Sequence, residues 1–125
     1  MGDVSMNEEK RAKLEQIGVN VDDAMERFMG SDRILEKFLK TFPEDTHFSA
    51  LQEAFENRDF ETAFAEAHAL KGICGNLSLE GLFQQISNVV ELLRAGQQEE
   101  ALEGKEELQA LYEATVEGIQ QYFKE

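Results

Sequence analysis

Apolar residues along this chain recur every three or four positions, and no stretch alternates apolar with polar residues as a half-buried strand would. The pattern predicts helices throughout. Ser5 and Glu8 have the spacing of a capping box that opens a first short helix, ending near "IGVN". Asn20 can cap "VDDAMERFM", which stops at Gly30, and Ser31 or Asp32 begins "RILEKFLKTF". In that segment Ile34, Leu35, Phe38, Leu39 and Phe42 fall on one stripe. Pro43 either breaks the helix or kinks it, because proline is tolerated only in a first turn. Phe48, Leu51, Ala54 and Phe55 resume the spacing, so residues 31–57 read as one long, kinked arm. Asp59 caps the next helix, which runs to about Leu77. Ser78 can cap a following one, whose Leu82, Phe83, Ile86, Val89, Val90 and Leu93 give a wide apolar face. Gly96 closes it as a C′ glycine. A last helix extends over roughly residues 98–123. Four long amphipathic helices with short connections predict an all-α fold: an antiparallel up-and-down four-helix bundle, with one or two short N-terminal helices covering one end.

Composition agrees and narrows the partners. The 125 residues suit one domain, and 42% are apolar, enough for a core. The formal net charge is −14, with 12 basic residues scattered among 26 acidic ones. Such a surface offers no basic stripe for nucleic acid and no affinity for an anionic membrane. A basic protein surface suits it better. The one cysteine, Cys74, excludes an internal disulfide and a cysteine zinc site, and is expected in the core. No run approaches the roughly 20 apolar residues of a membrane span, and "MGDVSMNEEK" has no signal-peptide core. The expectation is a cytoplasmic monomer, monomeric because no second apolar stripe is left over, and free-standing because its ends are capped.

One helix carries an anomaly. "AHALKGICGN" holds one of only two histidines, followed by Lys71, Gly72 and Gly75, and glycine inside a helix costs roughly 1 kcal/mol relative to alanine. At about 100° per residue, Ala63, Ala67, Leu70, Cys74 and Leu77 form the buried stripe, with Phe60 just beyond. His68 lies outside it. Lys71, Gly72, Gly75 and Phe64 all fall within about 60° of His68. The histidine therefore faces outward beside one cation, one aromatic ring and two missing side chains. Bare backbone at Gly72 and Gly75 would let another surface approach closely. A phosphoryl group arriving from an aspartyl phosphate needs an exposed ring nitrogen, room for its donor and a cation for its oxygens. Phe64, at the stripe's edge, is expected to share packing and docking. His47 has no such neighbours and reads as a solvated residue; a metal site joining it to His68 lacks helical ligand spacing.

"HALKG" resembles the His-x-x-Lys-Gly signature of histidine-containing phosphotransfer (HPt) domains, the relay modules of multistep two-component signalling. "GVNVDDAMERFMGSDRILEKFLKTF" is similar to their opening segment, and "NRDFETAFAEAHALKG" to their phosphorylation helix. The resemblance covers residues 18–124, with 1–17 as an N-terminal extension of a single domain. It implies that His68 is the phosphoacceptor through Nε2, that Lys71 steadies the phosphate, and that Gly72 makes space. It also implies that the helix before Gly30 is a lid over one end of the bundle. Ile73 and Cys74 replace the small pair usual after that glycine, and Ser78 stands where a turn glycine is common. The implied function is relay of a phosphoryl group between His68 and aspartates of response-regulator receiver domains, with a histidine kinase or hybrid kinase upstream. The chain has no kinase site of its own and no cofactor, since Mg²⁺ belongs to the receiver. The alternative is a helical adaptor that binds a receiver or another signalling protein without accepting phosphate. A metal or small-enzyme bundle would need inward Glu-x-x-His pairs, and Glu66 and His68 are two apart.

Overall fold

The computed structural model describes residues 6–124. Helix α1 spans Glu8–Ile17 and α2 Val21–Arg27; α3 spans Asp32–Thr41, and α4 His47–Glu56. Helix α5 is Phe60–Asn76, α6 Glu80–Arg94, α7 Gln98–Glu103 and α8 Lys105–Lys124. The fold is all-α. Among the described residues the one strand-like feature is a backbone bridge between Val19 and Leu79.

Helix ends follow local chemistry, with three departures from the sequence reading. Asn7 caps α1, its side chain accepting from the Lys10 amide; Ser5 lies outside the described residues. Asn20, Ser31 and Asp59 cap α2, α3 and α5 in the same way. The stretch 31–57 is broken rather than kinked. After α3 comes a 3₁₀ turn at Phe42–Glu44 with Pro43 in its first turn, and Asp45 is extended (φ −67°, ψ 140°). The Asp45 carboxylate then accepts from the His47 amide at 2.8 Å and starts α4. The last helix is divided as well, because Gly104 separates α7 from α8. Glycine there has no side chain to favour the helical well.

Ser78 is the third departure. It does not cap α6; its φ is +55°, the left-handed conformation that favours glycine. Its hydroxyl donates to the Asp23 carboxylate at 2.7 Å. Beside it the Asn20 amide donates to the Ser78 carbonyl and the Glu80 amide to the Gly18 carbonyl, at 2.8 and 3.0 Å. The α1–α2 connection is thus pinned to the α5–α6 turn, at one end of the bundle.

Helix α5 packs along both α4 and α6. Gly75 faces Phe83 near one end of the α5–α6 pair, and Phe64 faces Arg94 near the other. Contacts that advance on one helix therefore retreat on the next, so the pair is antiparallel. Helix α8 closes the bundle against α6 and α3, and α1 lies along α8 with Ile17 beside Gly118. Phe48 of α4 stacks on Tyr112 of α8 with centroids 4.0 Å apart, and Phe42 leans on the same ring at 5.7 Å. Leu14, Leu35, Leu39, Leu51, Leu70, Ile86 and Val90 are sealed in this core. Full burial of such a side chain contributes about 2 kcal/mol.

The stripe on α3 is only partly used. Leu35, Leu39 and Phe42 are buried, but Ile34 is 46% and Phe38 50% exposed, and neighbouring Met29 is 93% exposed. An apolar patch is therefore left uncovered at the α2–α3 junction, where the sequence suggested none.

Candidate functional site

The Asp59 carboxylate accepts from the Thr62 amide at 3.2 Å and starts α5. Alanine, leucine and cysteine line its inner face: Ala63, Ala67, Leu70 and Cys74 are wholly buried, as the periodicity predicts. The two alanines let neighbouring helices approach closely. Burial pushes the Cys74 thiol up to about 12, with the Asp45 charge adding to the effect, so it is a packing residue and not a nucleophile.

The outer face carries the anomaly. His68 is exposed, and its imidazole lies parallel to the Phe64 ring one turn earlier, 7° between planes and 5.9 Å between centroids. Phe64 is half-buried, joining core and surface. Lys71, one turn on, holds its ammonium 5.9 Å from the centre of the Phe83 ring. No carboxylate among the described residues pairs with it. At Gly72 an added Cβ would meet nothing within 4 Å, so the backbone is bare towards solvent.

Gly75 differs from the sequence reading. A Cβ there would stand 3.1 Å from the Phe83 Cε1 atom. Its missing side chain is filled from within by α6 and offers no opening to a partner. What Gly75 does is seat Phe83, on whose ring Lys71 rests.

Two further residues join the site without having been expected. The Arg94 guanidinium lies 5.3 Å from the Phe64 ring centre, on the face of α6 that meets α5. Its signal in the sequence is the antiparallel register alone: stepping back along α5 from Gly75 to Phe64 steps forward along α6 from Phe83 to Arg94. His47 is not simply solvated, for its Nδ1 is 2.6 Å from the Glu66 carboxylate. That bond ties α4 to α5 and occupies the carboxylate nearest His68 in sequence. Among the described residues no group of three or more His, Cys, Asp or Glu side chains could hold a metal ion.

Beyond Gly72, the same helix borders an open groove of about 630 Å³. Ile73, Asn76 and Leu77 form one wall, Phe28 and Phe38 the other. The two phenylalanines stack at 5.9 Å, so the groove runs into the exposed patch of Met29, Ile34 and Phe38. On the wheel, Asn76 and Ile73 lie about 80° and 140° from His68, with Gly72 between. Imidazole, bare backbone and apolar groove make one continuous surface.

The helical bundle thus carries a histidine on its outside, with bare backbone beside it and an uncovered apolar groove next to that. The chain matches the family model of the Hpt domain across residues 33–118, from α3 into α8. It belongs to the Hpt domain family. Hpt domains have a phosphotransfer role in phosphorelay signalling, as carriers rather than kinases, and interact with kinases and response regulators. Searches of curated proteins and of solved structures found no match. No described helix is long and apolar enough to cross a membrane.

Proposed function

We propose that His68 accepts a phosphoryl group from the aspartyl phosphate of a receiver domain and passes it to the aspartate of another. The observation that carries this reading is the exposed imidazole of His68, with the unpaired ammonium of Lys71 and the open backbone of Gly72 on the same face. In the Nδ1–H tautomer the Nε2 lone pair is available. It attacks phosphorus in line; the Nε2–P bond forms as the P–O bond to the aspartate breaks, and that electron pair returns to the carboxylate. The Nδ1 proton then leaves to solvent. Lys71 takes charge from the transferring oxygens, while Mg²⁺ and its ligands belong to the receiver. The reverse sequence returns the group.

Docking falls to the surface beside the imidazole. The groove between Phe38 and Ile73, with the patch of Met29 and Ile34, supplies apolar area to a receiver while Gly72 lets it come close. The net charge of −14 favours partners with basic rims.

The test is to mix the protein with a phosphorylated receiver and follow transfer of label into an acid-labile, base-stable form. His68→Gln abolishes uptake, and Lys71→Ala slows it about ten- to a hundredfold while leaving it measurable. Label that persists undiminished in the His68 variant overturns the assignment. Receiver binding with no transfer in the unaltered protein would make the chain an adaptor.

A further inference from the structure

Helix α3 turns its carboxylates inward. Asp32 is 8% exposed and takes the Lys10 ammonium at 3.1 Å, while Glu36 takes the same ammonium at 3.3 Å and the Tyr122 hydroxyl. Outward it leaves an arc of about 160° that holds Phe38, Ile34, Thr41, Lys37, Arg33 and Lys40 in turn. All six are exposed and none is acidic. Arg33, Lys37 and Lys40 have no ion pair among the described residues, and Lys40 rests on the Phe123 ring at 5.8 Å. Their spacing of i, i+4 and i+7 stacks like charges along one side of the helix, which works against its stability. Cations that the sequence scatters among 26 acidic residues are thus gathered beside the apolar patch of Met29, Ile34 and Phe38. The groove borders this arc, and Phe38 belongs to both. Its other charges are taken or remote: Asp23 holds Arg27 at 2.9 Å, Asp45 accepts from the His47 amide, and Glu44 stands beyond the C-terminal end of α3. A cleft with apolar walls on two helices seats a convex amphipathic helix. A bilayer does not enter it, and the net charge of −14 repels an anionic one.

We infer that Arg33, Lys37 and Lys40 select the partner: the element that enters the groove is an amphipathic helix with carboxylates on its α3 side. Its apolar face meets Phe28, Phe38 and Ile73, and its acidic groups meet the three cations. The inference rests on the phosphotransfer reading only in placing that partner beside His68, and adds to it the sign of the partner's charge at contact. That sign is opposite to the one the net charge suggests. Net charge acts on approach, whereas contact is decided within a Debye length, about 8 Å at physiological salt. A receiver whose contact helix is basic is turned away at α3 by like charge. Discrimination among receivers therefore lies on α3, one helix away from the residue that carries the chemistry.

Two helical peptides serve as probes, each with leucine at i, i+4, i+7 and i+11, and with either glutamate or lysine at the positions beside that stripe. The ¹⁵N-labelled protein is titrated with each, and amide shifts report both the site and the Kd. At low salt the glutamate peptide binds about tenfold or more tighter than the lysine peptide, moving amides of residues 28–41 and 72–77. High salt closes the gap. Arg33→Glu with Lys37→Glu inverts the preference. Arg33→Gln with Lys37→Gln shrinks it while melting no lower than the unaltered protein, which separates loss of charge from loss of fold. His68→Gln leaves peptide binding unchanged. Equal binding of the two peptides, tighter binding of the lysine peptide, binding of neither, or shifts elsewhere overturns the inference. So does movement of the same amides by phosphatidylglycerol vesicles in place of the glutamate peptide. Phosphoryl uptake is measured separately. Uptake from a phosphorylated receiver without the glutamate preference overturns this inference alone. The preference without uptake from any receiver overturns the phosphotransfer reading and leaves the cationic arc as a docking surface.

Discussion

Gly72 and Gly75 sit three residues apart on α5 and answer to different neighbours. An alanine methyl at 72 enters open space, whereas at 75 it meets the Phe83 ring at 3.1 and 3.3 Å. Helix propensity favours alanine at both by about 0.5–1 kcal/mol. Gly72→Ala should therefore raise the unfolding free energy, read from urea titration, by that amount while slowing uptake from a phosphorylated receiver, since the methyl stands in the proposed docking face. Gly75→Ala should bring no such gain, because Phe83 must move and takes the rest point of Lys71 with it. Equal stabilisation by the two substitutions would show that Phe83 yields freely. The sequence made both glycines visible as anomalies and grouped them together. It could not separate them, because the ring that fills one lies on another helix.

At the scale of elements, periodicity located every helix that has a buried stripe of its own. The inner face of α5 was legible residue by residue from the spacing of Ala63, Ala67, Leu70 and Cys74. Interruptions were less so. Gly104 splits a segment whose other residues are good helix formers, and Asp45 turns extended with its carboxylate on the His47 amide. Ile34 and Phe38 have perfect helical spacing with their neighbours, yet the bundle stops short of them. Ser78 has capping chemistry, but its hydroxyl is taken by Asp23 across 55 positions of sequence. Arg27 and then the Ser78 hydroxyl hold the Asp23 carboxyl below its ordinary 3.8. A depressed carboxyl stabilises the fold above its unfolded value, and that contribution is lost as pH falls through the folded value. Ser78→Ala should lower the melting temperature at neutral pH and give a shallower decline in stability between neutral pH and about pH 3. A decline as steep as in the unaltered protein would mean that the hydroxyl does not support the carboxylate.

Over the whole molecule the alkaline side is the sensitive one. Burial and then the Asp45 charge push the Tyr112 hydroxyl up to about 12 from 10.0, as they push the Cys74 thiol from 9.0. Burial, and then a hydrogen bond to Glu36 at 2.5 Å, raise Tyr122 as well. The Asp32 hydrogen bond, set against burial and aided by Glu36, raises Lys10 above 10.5. Each of these groups keeps its proton in the folded state at a pH where the unfolded chain has released it. Their stabilisation is complete below the unfolded values and disappears as pH rises through the folded ones. Denaturant midpoints should hold level to about pH 9 and fall steadily towards pH 12, with a smaller fall in Tyr122→Phe. A flat profile over that range would contradict the burial of these groups. The family's matched range begins at residue 33, yet Leu14, Val19, Val21 and Ala24 are part of the same core. The uncovered apolar patch is built at that seam, from the end of α2 and the outer side of α3.

The backbone bridge between Val19 and Leu79 also fixes a timetable. During synthesis α1 and α2 leave the ribosome before α5 and α6, but the groups with which their connection pairs at Gly18 and Asn20 belong to residues 78–80, which do not yet exist. Until then Met29, Phe28 and Phe38 have no finished wall opposite them, and the nascent chain exposes more apolar surface than the completed one does. The α1–α2 connection stays unanchored at this end of the bundle, and the apolar groove incomplete, until the α5–α6 turn has been made.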